Sequence, residues 1–122
     1  MQTTHPMQHE KEVCDSAVSP NAELIVFAYG RGFKVYKTSN NELVSENSED
    51  DAYSVCFSPC GKKIAYVGYK NISICNAEDG TKKITIKTDL FSRIEFLEDG
   101  QYILGIEKRK AYVIKVDKEE TA

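Results

Sequence analysis

Hydrolases of the Ser-His-Asp or Cys-His kind need an imidazole held rigidly beside a nucleophile, so the histidines are the natural place to begin. The chain has two, His5 and His9, and their i, i+4 spacing would offer two metal ligands on a helix. Both stand in a polar opening segment, MQTTHPMQHEKEV, which reads as a solvated tail and a poor support for a catalytic base. Cys56 and Cys60 are also close, but the first falls in an apolar run and the second in the turn after it. With no second cysteine pair and no partnering histidine, free buried or half-buried thiols are expected there rather than a zinc site. Gly30-Arg31-Gly32 separates two strand-like runs and does not open a helix, so it reads as a turn rather than a phosphate cradle. The pairs Glu78-Asp79 and Glu98-Asp99 also fall in turns, as solvated charge. No catalytic, cofactor-binding or metal-binding residue is assigned, and no enzyme activity is expected.

Two charged patterns are better organised. Arg31, Lys70 and Arg109 recur at steps of 39 residues, each in a turn between two apolar runs, with Lys34, Lys108 and Lys110 close by. If the repeats stack, the turns converge on one rim, and these six residues form a positive arc for an acidic or phosphorylated segment. The second pattern is Ser45-Glu46-Asn47-Ser48-Glu49-Asp50-Asp51, read as a loop joining the first repeat to the second. Ser48, followed by three acids, is a candidate phosphorylation site, where a phosphate would add ~1.5–2 negative charges. Such a loop would share the rim with the arc and compete with an acidic ligand.

The elements that must carry these residues emerge when the chain is aligned with itself. At the same step of 39, Val18 falls on Phe57 and Phe96, Ile25 on Ile64 and Ile103, and Val35 on Ile74 and Val113. Register kept over three copies marks a repeat architecture, and the period is near the ~40–45 residues of a four-stranded propeller blade. In the second copy the strand-like runs are 53–58, 63–68, 72–76 and 82–86, separated by Ser58-Pro59-Cys60-Gly61, Tyr69-Lys70-Asn71 and Ala77-Glu78-Asp79-Gly80. Short runs rich in Ile, Val, Tyr and Phe between Pro, Gly and Asn turns are the strand signature. The third copy reads as strands at 91–96, 101–106 and 110–116, with no fourth. The expected fold is all-β, a partial β-propeller of about three four-stranded antiparallel blades at 13–46, 52–86 and 91–117, the last incomplete. A polar tail at 1–12 and a charged tail at 118–122 flank them.

Composition sets the class. With 41% hydrophobic and 29% charged residues and a net charge of −3, the chain reads as a globular domain with no overall basic excess for nucleic acid. The longest apolar run, Leu24 to Tyr29, is far short of the ~20 residues of a membrane span. The four cysteines follow no disulfide pattern and no secretory signal precedes them, so a reduced protein of the cytoplasm, or of the nucleus, is expected.

The run from Ser54 to Ala65, SVCFSPCGKKIA, resembles the first hairpin of a WD-type propeller blade, and Asn71-Ile72-Ser73-Ile74-Cys75-Asn76 with Asp79-Gly80-Thr81 resembles its third strand and following turn. The likeness extends from about residue 13 to 117. Tryptophan is absent, and the places of the Trp-Asp pair are taken by Tyr36-Lys37, Cys75-Asn76 and Ile114-Lys115. The resemblance implies a non-catalytic protein-protein interaction scaffold within a larger assembly or propeller. Two alternatives stand beside it. One is a phosphoinositide-binding propeller fragment at a membrane surface, although that family's paired arginines are missing; the other is a propeller fragment of an enzyme. Because a lone arc would leave the outer faces of the first and third blades bare, a homodimer or docking onto another propeller segment is also expected.

Overall fold

The computed structural model describes residues 12–89, 91–98 and 100–116, apart from the side chain of Lys83. His5, His9 and most of both flanking tails lie outside them. Among the described residues eleven strands form three antiparallel sheets, and there is no helix. The first sheet is β1 (Asp15–Val18), β2 (Leu24–Ala28), β3 (Gly30–Lys37) and β4 (Leu43–Ala52), each strand hydrogen-bonded to the next. The second repeats that order with β5 (Ser54–Phe57), β6 (Lys63–Gly68), β7 (Asn71–Asn76) and β8 (Lys82–Lys87). In the third, β9 (Arg93–Phe96), β10 (Tyr102–Glu107) and β11 (Lys110–Lys115) complete the set.

The turns between the first two strands show why these runs stop where they do. Ser19 and Ser58 each accept a backbone hydrogen bond at the side-chain oxygen, from the amides of Leu24 and Lys63. Their carbonyls accept from Ala22 and Gly61, as that of Leu97 does from Gly100. The residue that closes each turn has a positive φ, 64° at Ala22, 77° at Gly61 and 72° at Gly100. Glycine takes that conformation without strain, and alanine does not.

Strand periodicity then sorts the middle sheet into two faces. Val55, Phe57, Ile64, Tyr66 and Cys75 turn toward the first sheet, where Val26, Ala28, Phe33 and Val35 wait. Cys56, Ala65, Val67, Ile72, Ile74 and Ile84 turn the other way, against Phe91, Ile94 and Ile103. Alternate residues therefore feed two separate cores, and the middle sheet is the wall between them. Its first strand, β5, is also tied to both neighbouring sheets by hydrogen bonds. The Asp15 carboxylate accepts from the Val55 amide at 3.0 Å, and the Ser54 hydroxyl accepts from the Ile94 amide at 3.4 Å.

Two expectations need correction. The Ser45–Asp51 run is not a connecting loop but part of β4. Ser45 is buried against the middle sheet and donates to the Ala77 carbonyl, which anchors the strand. Its acidic centre is a bulge, since Arg31 pairs with Asp51 and Phe33 with Asn47. Within that bulge the Asn47 side chain accepts from the amides of Glu49 and Asp50. Gly32 permits the close approach: a Cβ there would stand 2.4 Å from the Asn47 carbonyl oxygen, and its φ is +86°. The other correction is that Cys60 is exposed, unlike Cys56, which is buried.

Candidate functional site

Lys70 and Arg109 lie in the β6–β7 and β10–β11 turns, whereas Arg31, expected in the β2–β3 turn, is the second residue of β3 and pairs with Asp51; all three are exposed. They lie at one end of the stacked sheets. Asp51, the register partner of Arg31, brings its carbonyl against Gly68 beside the β6–β7 turn, and Tyr69 and Lys108 line a common cleft. Lys110, opposite Glu107 at the start of β11, is exposed at the same end. Lys34 is placed differently. It sits within β3, across from Phe27 and Glu46, on the outer face of the first sheet.

Acid interrupts the arc between its first two members. Asp50 and Asp51 border a recess of about 120 Å³ together with Tyr69, Asn71 and Lys82. Asp50 is engaged rather than solvated: the buried Tyr66 hydroxyl donates to it at 2.6 Å, and Lys82 and Asn47 also reach it. The Tyr66 hydrogen bond holds the Asp50 carboxyl below its ordinary range. Burial first, and then Asp50, push the Tyr66 phenol upward. Ser48 is exposed in the bulge of β4.

At the seam between the second and third sheets the rim opens into a cleft of about 620 Å³. Tyr53, Tyr69 and Phe91 supply aromatic surface, and Ser92, Glu107 and Lys108 supply polar groups. Tyr53 is 42% exposed and Tyr69 60%, although tyrosine rings ordinarily find more cover. The Lys70 ammonium lies 5.6 Å from the centre of the Tyr69 ring, a cation–π contact at the mouth. At the first seam the positions equivalent to Tyr53, Tyr69 and Phe91 hold Cys14, Gly30 and Ala52. Three small side chains there leave little to grip.

The opposite end of the same seam holds a second cleft of about 520 Å³, bordered by Ser58, Cys60, Lys63, Phe96, Gln101 and Val116 among others. The Cys60 sulfur is 3.4 Å from the Ser58 hydroxyl, and that contact lowers the thiol pKa. Burial raises the Cys56 and Cys75 thiols to about 12. Among the described residues no three His, Cys, Asp or Glu side chains gather to hold a metal ion, and no helix is long and apolar enough to cross a membrane.

No family model and no curated protein matches the chain. Among solved structures it is similar to a chain of hydrazine synthase from Kuenenia stuttgartiensis, with a TM-score of 0.69 at 16% identity. The likeness is one of fold. It covers 83% of this chain and 33% of that one, so the present chain spans about a third of its length.

Proposed function

We propose that the chain is a non-catalytic protein-binding scaffold built of WD-type propeller blades, and that it holds acidic or phosphorylated segments of partner proteins at the rim cleft. The blade reading is supported by the three meander sheets in sequence order and by their inner strands, which lie next to one another, β1 by β5 and β5 by β9. One observation carries the binding reading: an aromatic cleft lined by Lys108 as well as Glu107, with exposed Lys70 over its Tyr69 ring and exposed Arg109 in the turn that holds Lys108. An apolar or aromatic side chain of the partner fills the space between Tyr53, Tyr69 and Phe91. Carboxylates or a phosphate beside that anchor meet the cations, which gives orientation and a salt-dependent on-rate.

Titration of a fluorescent peptide bearing one tyrosine among glutamates tests this reading. Saturable binding is expected to weaken at least tenfold in the triple variant Arg31→Glu, Lys70→Glu and Arg109→Glu, and to lose most of its salt dependence, with melting nearly unchanged. Tyr69→Ala is expected to weaken it with the salt slope intact, because that change removes contact area and no charge. Binding undiminished by the triple reversal would show that the rim only solubilises. Capture by phosphoinositide vesicles, with no peptide binding, would favour a lipid surface instead.

A further inference from the structure

Within the chain, the sheets stack by one rule. The face of the first sheet that carries Val26 and Val35 meets the face of the second that carries Ile64 and Cys75. The face of the second that carries Ala65 and Ile74 then meets the third through Ile103. By the step of 39 residues, Val26 and Val35 are equivalent to Ala65 and Ile74, and Ile64 to Ile103. Both seams are thus the same contact, a later face on an earlier one, repeated head to tail.

Among the described residues the rule leaves one face of each kind uncovered. On the first sheet Val18, Ile25, Tyr36 and Leu43 form a row across all four strands, with Val18 53% and Leu43 45% exposed. The equivalent Phe57 in the middle sheet is 8% exposed. On the third sheet Leu104 and Val113 are neighbours on the other kind of face. Val113 is 63% exposed, whereas its equivalents Val35 and Ile74 are 0% and 1%. We propose that a second copy of this chain covers both: the outer face of its third sheet packs on the first sheet of the other, and the reverse contact closes the pair. Two head-to-tail contacts related by a two-fold axis use both of these faces and give a ring of six sheets, within the ~4–8 at which propellers close. One tie is not reproduced. At the position of the acceptors Asp15 and Ser54 the third sheet has Arg93, which only donates, so the new seam is held by its apolar faces and is weaker than the internal ones. The proposal stands on this packing rule alone and is independent of the rim cleft.

Light scattering after size exclusion, at micromolar concentration, is expected to give twice the 13.7 kDa of one chain. Val18→Asp and Val113→Asp, both at exposed positions, are each expected to yield a folded monomer, with circular dichroism confirming the fold. An equimolar mixture of the two is expected to recover the dimer, because a mixed pair keeps one seam without either substitution. A wild-type monomer, an open-ended polymer, or a dimer that only one of the two substitutions breaks would overturn the proposal. The triple rim reversal is expected to leave the mass unchanged, so failure of the rim reading and failure of this one remain distinguishable.

Discussion

The middle and third sheets are built on one pattern yet live in different surroundings. β6 and β7 are buried along nearly their whole length, while β11 alternates between exposed and half-buried residues. Ile74 and Val113 occupy the same repeat position and both are β-branched aliphatics, so residue type does not explain why one is buried and the other bare. The neighbour does. A strand's pattern sets which residues share a face, and the stacking of sheets decides whether that face sees water.

Substitution on either side of that contrast should break it most visibly. In the Val18→Asp background, expected to keep the chain monomeric, Ile74→Ala should cost about 3 kcal/mol in urea unfolding through lost burial and a cavity. Val113→Ala in the same background should stay within about 0.5 kcal/mol, as exposed positions do. Equal losses at the two would mean that the third sheet is covered after all.

A smaller effect sharpens the account of how the middle sheet is held. Tyr66→Phe removes the bond between β6 and Asp50 and is expected to cost ~2 kcal/mol at neutral pH. The folded Asp50 pKa is depressed, so its contribution is present above the unfolded value and is lost as the pH falls through the folded one. The gap between wild type and Tyr66→Phe should therefore narrow below about pH 4. A gap independent of pH would assign the loss to packing. The last contrast leaves stability untouched: a maleimide at neutral pH should label Cys14 and Cys60 in the native chain, and Cys56 and Cys75 only after denaturation. Mass spectrometry of the labelled peptides reads the outcome, and native labelling of Cys75 would contradict the buried core.

Much of this is legible in the amino-acid sequence. Apolar residues in the 39-residue register located the strands of the middle sheet to within a residue or so. Register could not reveal β4, because Glu, Asn and Asp disfavour strands, and only Ser45 and Ala52 along it turn inward enough to be buried. What makes that run a strand is pairing with β3 and the bond from Ser45 to Ala77, neither of which has a local signal. The basic turns were readable as a recurring residue type. Their aromatic partner was not, since Tyr53, Tyr69 and Phe91 hold three different repeat positions and meet only across a seam between sheets. The one available hint was Tyr69, an aromatic in a turn where the other copies have Gly30 and Lys108.

Hydrogen exchange of the chain, with and without a saturating amount of the tyrosine-and-glutamate peptide, bears most directly on the proposed role. Added protection is expected at Tyr53, in the β6–β7 turn and in the β10–β11 turn, and nowhere near the Ser58–Gly61 turn at the other end. Protection centred on that opposite end, or spread evenly over the sheets, would contradict the rim cleft as the place where partners are held.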